Sequence, residues 1–265
     1  MPYTLSHPLA VVPFQRWCPA YLNFPALVIG SMAPDFGYFV GQFNVAGFAH
    51  TIPGSFVICV PIGLLVLGLF YALRRPVCFL LPQPHRAALM PLAVNHLHFS
   101  VREMIVACAS LLFGAWTHIA WDSCTHIYGW PAQHWEFMSR ALIQIGSKGI
   151  PTYQALQLGS TVVGAAGLVV LYVLWLWRHR RTEPADDQSS DGWRYLLLAS
   201  IAAAALAIAL AAAIFVTNRF EFDHGLHTYV FWIAVYSITA FFPMIAVAAI
   251  VVDRMRPAHD ELIEP

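Results

Sequence analysis

Charged residues are scarce in this chain: only 11% of its 265 residues are Asp, Glu, Lys or Arg, whereas soluble domains carry about 25%. Hydrophobic residues make up 59% of the chain, and its mean hydropathy is +0.63. This balance excludes an ordinary soluble domain and predicts an integral membrane protein. The 14 basic residues offset the 14 acidic ones without forming a long basic run, so nucleic acid is not an expected partner.

Several catalytic and cofactor motifs are also absent from the sequence. It contains no GxSxG, no Walker lysine loop and no GxGxxG, so neither covalent acyl transfer nor nucleotide use has support. The five cysteines are scattered without a CxxC pair and are typical of packing residues rather than of a disulfide framework. The amino terminus lacks the basic region of a secretory signal, so we expect internal segments to direct insertion.

Five apolar stretches are long enough for a membrane-crossing helix, which needs about 20 residues. They cover residues 53–73, 103–123, 153–177, 195–217 and 229–252. A shorter stretch, residues 24–40, is interrupted by Pro34 and Asp35. It predicts a re-entrant or broken helix within an N-terminal region 1–51, with a sixth crossing as the alternative. The expected fold is an all-α membrane bundle forming a single domain over residues 1–265.

Basic residues are concentrated on one side of these spans. Ten of the fourteen Lys and Arg flank the first and third connections or follow the last span: Arg74, Arg75, Arg86, Arg102, Arg178, Arg180, Arg181, Arg194, Arg254 and Arg256. Because cytoplasmic loops collect basic residues, we expect this side, with the polar linker 179–192 and the C-terminus, to be cytoplasmic. The opposite, outer face then holds His50, Asp122, His126 and the loop 124–150.

His118, Asp122 and His126 recur every fourth residue at the end of the second apolar stretch. If the helix continues, they share one face, and imidazole and carboxylate groups are ligands for zinc-type or manganese-type ions. The alternative is a polar patch that bonds locally at the membrane edge. The cost of ionisable groups inside a membrane favours the ligand interpretation. Asp122 would then bind the ion directly or orient a ligating imidazole.

Other polar residues are less informative when taken one at a time. Asp35 places a carboxylate inside an apolar segment, but it follows a proline and is equally typical of a helix N-cap. His7 and His50, each considered alone, are more typical of structural histidines near a membrane interface. Cys124 is adjacent to the His/Asp triplet but is more typical of packing. Glu136 is a conceivable general base that no spacing selects.

Four short motifs occur along the chain in a fixed order. They are Pro2-Tyr3-Thr4-Leu5-Ser6-His7-Pro8, Gly30-Ser31-Met32-Ala33-Pro34-Asp35, His50-Thr51 and His118-Ile119-Ala120-Trp121-Asp122-Ser123-Cys124-Thr125-His126. Together they resemble domain-of-unknown-function family 4184, bacterial multi-spanning membrane proteins, over essentially the whole chain. More distantly, the pattern is similar to membrane-bound metal-dependent hydrolases and to the ligand types of zinc-dependent phospholipases C. The chain lacks the mature amino-terminal tryptophan of those soluble phospholipases.

The resemblance implies a metal site in a multi-pass protein of the bacterial inner (cytoplasmic) membrane. Its motifs nominate His7, Asp35, His50, His118 and Asp122 as ligands, and the closer family's Asp-x-x-Thr-His pattern adds His126. The implied cofactor is one or two divalent ions, zinc first, with Asp122 and Asp35 as catalytic carboxylates. We expect hydrolysis of a lipid or lipid-linked phosphoester at the membrane interface. The alternative function is metal binding or ion transport without hydrolysis.

Overall fold

The computed structural model describes residues 3–94, 100–146, 148–179, 191–219 and 226–255. Its α-helices in chain order are α1 Pro8–Val11, α2 Phe24–Gly30, α3 Phe36–Phe39, α4 Phe43–Ala49, α5 Ile52–Gly54, α6 Val60–Leu80, α7 His85–Val94, α8 Val101–Thr125, α9 Trp130–His134, α10 Glu136–Ser139, α11 Thr152–His179, α12 Gly192–Arg219 and α13 Leu226–Arg254. Tighter 3₁₀ turns cover Thr4–Ser6, Val12–Trp17 and Ala33–Asp35, and a π-helical turn covers Ser55–Cys59. Strands β1 Ala141–Ile145 and β2 Lys148–Pro151 form an antiparallel hairpin.

Within the described ranges, five helical segments are long and apolar enough to cross a membrane. They are Ile52–Leu80, Val101–His134, Thr152–His179, Gly192–Arg219 and Thr228–Arg254. Each overlaps one of the five stretches expected from hydropathy, so the prediction of an all-α, five-span protein is confirmed. By length and composition the chain is a multi-pass membrane protein.

Residues 24–40 form a broken helix. Helix α2 ends at Gly30, the 3₁₀ turn Ala33–Asp35 follows, and α3 is a short further helix. Pro34 lies in the turn, where its missing N–H and fixed φ prevent α2 from continuing. Asp35 stands at the N-cap position of α3 but makes no capping bond with its side chain, so helix capping does not account for it. The prediction of a broken N-terminal helix is confirmed.

Two glycines let α2 and α8 approach closely. A Cβ on Gly30 would overlap the backbone carbonyl of Leu111, and a Cβ on Gly114 would overlap that of Leu27. Small residues at such contacts allow helix backbones to pack at short range. The contact brings the turn that carries Asp35 against α8, since that turn follows α2 directly.

Helix α8 begins at a capping box and buries one face along its length. The Ser100 hydroxyl accepts from the backbone N–H of Glu103, whose carboxylate accepts from the N–H of Ser100. Its buried positions recur every three or four residues: Ala107, Ser110, Leu111, Gly114, Ala115, His118, Asp122 and Thr125. His118 and Asp122 therefore face the protein interior.

The chain divides into two compact units, residues 1–68 with 97–175 and residues 69–96 with 176–265. In the first unit, four segments meet through a cluster of small buried side chains: Ala33, Ala49, Cys59 and Ala115. In the second, α12 packs along α13, and the buried residues of α12 include alanines at four-residue spacing: Ala205, Ala209 and Ala213. The expectation of one membrane domain stays a prediction.

The segment 124–150, expected only as an outer loop, contains α9, α10 and the hairpin. Ile143 pairs with Ile150 and Gln144 with Gly149, and the register is irregular between Ala141 and Ile143. Gly146 has a φ of 61°, the left-handed conformation that a tight hairpin turn requires and that glycine adopts without strain.

Candidate metal centre

Four side chains from three separate segments bring ligand-type atoms together in the first unit. Asp35 comes from the turn after α2, His50 from the end of α4, and His118 and Asp122 from consecutive turns of α8. One ligand atom from each of these residues lies within 4.8 Å of all the others. Among the described residues this is the group that can hold a metal ion.

The nitrogen–oxygen separations in this group match the spacing of ligands around one ion. His50 Nε2 lies 3.4 Å from Asp35 Oδ1 and 3.6 Å from Asp122 Oδ2. His118 Nε2 lies 3.6 Å from the same Asp35 oxygen and 3.4 Å from the same Asp122 oxygen. These distances exceed those of an N–H···O hydrogen bond, about 2.7–3.2 Å. Ligands about 2.1 Å from a shared zinc ion, at tetrahedral angles, are about 3.4 Å apart.

Backbone carbonyls set the tautomer of both histidines. His118 Nδ1 donates to the carbonyl of Ser31 at 2.8 Å, and His50 Nδ1 donates to the carbonyl of Ala46 at 2.8 Å. With hydrogen on Nδ1, each neutral ring presents the lone pair of Nε2 to the carboxylates. This is the outer-shell arrangement that orients metal-ligating histidines in proteins.

The group is buried and leaves polar atoms without partners. Asp35 is 1% exposed, His118 is 0% and Asp122 is 7%. Among the described residues no hydrogen-bond partner is found for Asp35 Oδ1, His118 Nε2 or Asp122 Oδ1. Buried polar atoms are nearly always satisfied, and an orphan costs about 1–3 kcal/mol. The two carboxylates carry two negative charges, which one divalent cation would neutralise while satisfying the inward-facing atoms.

The pKa values of the two histidines outside the spans, His50 and His7, are shifted in opposite directions. Burial lowers the pKa of His50, but the Asp122 and Asp35 carboxylates outweigh burial and raise it to about 10. Burial lowers the pKa of His7 to about 4, with the neighbouring His118 acting in the same direction. Without a metal ion, the two carboxylates thus favour a positive charge on His50 itself, whereas the ring of His7 is held neutral.

His7 also reaches the cluster. Its Nε2 lies 3.5 Å from Asp122 Oδ1, and its ring stacks on that of His118 with centroids 3.7 Å apart. The structure therefore brings together five of the six residues nominated as ligands: His7, Asp35, His50, His118 and Asp122. Spacing alone would not have joined His7 and Asp35 to the α8 pair, because these residues are far apart in sequence.

His126 occupies a different position from the one that its spacing suggests. Helix α8 ends at Thr125, and His126 has an extended backbone, with φ −123° and ψ 146°. Its Nδ1 donates to the backbone carbonyl of Asp122 at 2.9 Å and lies 3.8 Å from Asp122 Oδ2. It borders the cluster without belonging to the four-residue group. Its Nε2 is buried and has no hydrogen-bond partner among the described residues.

The other candidates lie outside this group. Glu136 is exposed and pairs with Arg140 at 2.8 Å, an ordinary surface ion pair between residues four apart. Cys124 is a partly buried free thiol whose Sγ lies 4.0 Å from the hydroxyl of Ser123. Neither belongs to the group that can hold a metal ion.

Three supporting residues had no role assigned from the sequence. Thr4 donates its hydroxyl to Asp35 Oδ2 at 2.6 Å, Ser31 supplies the carbonyl for His118, and the ring of Tyr38 lies 6.1 Å from that of His50. Thr4 and Ser31 belong to the first two motifs, and this is the sequence signal that could have identified them. Tyr38 lies in no motif. Burial, then the Asp35 and Asp122 charges, raise the pKa of its phenol.

Comparison with known proteins gives one match. A family model described as "Domain of unknown function (DUF4184)" covers residues 1–251. No curated protein and no solved structure matches the chain.

Proposed function

Since the chain belongs to this domain-of-unknown-function family, whose description names no activity, we propose a function from the site itself: metal-dependent hydrolysis of a lipid or lipid-linked phosphoester. The observation that carries the proposal is the set of four converging ligand atoms, spaced 3.4–3.6 Å from nitrogen to oxygen. Side chains that only packed the bundle would not gather two carboxylates and two lone pairs without nearer partners.

Zinc is the ion that this donor set fits best. Two imidazole nitrogens and two carboxylate oxygens are zinc ligands, and a zinc ion held by all four would take a water as its fifth ligand. Asp35, His50, His118 and Asp122 would hold it. A bound zinc ion supplies a water of lowered pKa and stabilises negative charge on an ester or phosphoryl oxygen.

The protein's own groups orient and complete this chemistry. The carbonyls of Ser31 and Ala46 keep His118 and His50 in the ligating tautomer. One of the two site carboxylates, Asp35 or Asp122, would accept the proton of the attacking water. His50 has 20% of its side chain exposed against 0% for His118, so we expect substrate to approach the site from the side of His50.

The place of the site along the spans supports the proposal of a lipid substrate. His118 and Asp122 lie in the last two turns of α8, within the candidate span Val101–His134. The chain beyond them exposes aromatic side chains suited to the headgroup region: Tyr128, Trp130, Trp135 and Phe137. The asymmetry of arginines favours the outer face of a bacterial inner membrane for this end of α8.

Zinc content of the detergent-purified protein tests the proposal. We expect one tightly bound zinc per chain, lost in His118→Ala and Asp122→Ala and kept in the control His134→Ala. His134 is exposed, and its Nδ1 donates to the backbone carbonyl of Trp130 in its own helix. Wild-type protein without stoichiometric metal would overturn the proposal.

Turnover then separates the hydrolase from the alternative, a metal carrier. We expect the zinc-loaded protein to release phosphate or a phosphoryl headgroup from members of a phospholipid and lipid-phosphate panel. Zinc flux into liposomes with no turnover of any panel member would favour transport, since buried His and Asp residues also serve ion carriers.

A further inference from the structure

A site that holds one metal ion between Asp35, His50, His118 and Asp122 gives His7 no role. Its side chain is 3% exposed, and its Nε2 has no hydrogen-bond partner among the described residues. This nitrogen lies outside the four-residue group, yet it faces the same Asp122 carboxylate at 3.5 Å. A buried imidazole in this position calls for a further ligand.

The two oxygens of the Asp122 carboxylate face different histidines. Oδ2 faces His118 Nε2 at 3.4 Å and His50 Nε2 at 3.6 Å, inside the four-residue group. Oδ1 faces His7 Nε2 and has no hydrogen-bond partner within the described part of the chain. Each oxygen of the carboxylate thus faces imidazole nitrogen at 3.4–3.6 Å, and the two oxygens face different histidines.

The stacking of His7 on His118 indicates where a second ion would lie. The rings of His7 and His118 are stacked with centroids 3.7 Å apart and an interplanar angle of 19°, and each offers Nε2 to a different oxygen of Asp122. Paired catalytic ions bridged by protein ligands lie about 3.5–4 Å apart. We propose that Asp122 bridges two divalent cations, with the second held between His7 Nε2 and Asp122 Oδ1. This inference rests on the proposed function, since it adds to the same site.

The charge of such a pair indicates the class of substrate. Two divalent ions carry four positive charges, whereas Asp35 and Asp122 supply two negative ones. An anion must therefore bind with the second ion. A phosphoryl group supplies both negative charge and the oxygen ligands that the second ion needs in addition to its two protein ligands. The second ion therefore binds more weakly than the first and binds together with a phosphate ester.

Metal titration tests the second site directly. Metal-free protein in detergent is dialysed against rising zinc, and bound zinc is counted per chain. We expect two ions in wild type, the second with at least tenfold lower affinity. We expect one in His7→Ala and in His7→Gln, which retain the tight ion and thereby show that the site has folded. The control His134→Ala should bind two.

Manganese provides the test of proximity. Protein loaded with two Mn²⁺ per chain should give an exchange-coupled electron paramagnetic resonance spectrum, and His7→Gln should give that of isolated ions. Inorganic phosphate should increase the affinity for the second Mn²⁺ in wild type. One ion per chain in both wild type and His7→Gln would overturn the second site while leaving the proposed function intact. No bound ion in wild type would overturn both.

Discussion

Two buried charged clusters in this chain differ in whether their polar atoms have partners. In the second unit, Arg194 is 1% exposed, donates from Nη1 to Asp191 at 2.8 Å and from Nε to the carbonyl of Phe79 at 3.2 Å. Its guanidinium also lies over the rings of Phe79 and Trp193. The other oxygen of Asp191 accepts from the backbone N–H of Gln83 at 2.7 Å. Each of these contacts joins a donor to an acceptor or a cation to an aromatic ring.

The His/Asp cluster of the first unit has the opposite character. Its imidazole nitrogens face carboxylate oxygens at 3.4–3.6 Å, too far for hydrogen bonds. A satisfied cluster stabilises the fold, whereas an unsatisfied buried cluster weakens it unless a ligand completes it. This difference indicates a structural role for Arg194 and supports the metal-binding role proposed for His118 and Asp122.

Removing Arg194 should produce the largest effect on stability. Arg194→Ala leaves the partly buried Asp191 without its charged partner, and breaking a buried pair in this way costs about 3–5 kcal/mol. Denaturant unfolding in detergent measures the loss. Arg140→Ala, which breaks the exposed pair with Glu136, should cost about 1 kcal/mol or less. Equal losses in the two variants would contradict the structural role of Arg194.

Zinc should stabilise the wild-type protein but not Asp122→Asn. At a free zinc concentration of about 100 times Kd, binding to the folded state alone adds about 2.7 kcal/mol to the free energy of unfolding. Without metal, Asp122→Asn should change the stability little, because it removes the repulsion from Asp35 together with the attraction to His50. Unfolding curves with and without zinc provide the measurement. A metal-free variant much less stable than wild type would mean that Asp122 has a structural role like that of Asp191.

Thr4→Val should have the smallest effect of the three. It removes the 2.6 Å hydrogen bond to Asp35 Oδ2 and with it the orientation of a ligating carboxylate. Losing such an outer-shell bond lowers metal affinity by about 10–100-fold. Zinc competition with a chelator of known affinity measures this change. Thr117→Val is the matched control, since the Thr117 hydroxyl bonds within its own helix to Gly114; an equal loss there would exclude a specific role for Thr4.

His118 and Asp122 on α8 show how much of the site a local sequence pattern can predict. His118 and Asp122 are four residues apart, and helical periodicity places them on one face wherever α8 continues. The same reasoning does not hold for His126, because α8 ends at Thr125. The end of the helix depends on how the following chain folds, and α9, α10 and the hairpin in that chain were not predicted either.

Motif resemblance, rather than a physical argument from the sequence, nominated His7, Asp35 and His50 as ligands. Each is an isolated residue in an apolar or irregular context, and nothing in its neighbourhood specifies a distant partner. Their meeting depends on the glycine contact between α2 and α8 and on the buried alanines around it. Tyr38 was missed because its position near His50 arises from the same packing.

The sequence by itself determined the membrane class, the five spans and the break at Pro34, because hydropathy, helix length and proline geometry act over short stretches of chain. It also determined that His118 and Asp122 share a helix face. Only the tertiary structure decided that His7, Asp35 and His50 join them, and that the carbonyl of Ser31 sets the tautomer of His118. Those outcomes depend on contacts between distant segments, which are set by the shapes of packed surfaces and not by any local pattern.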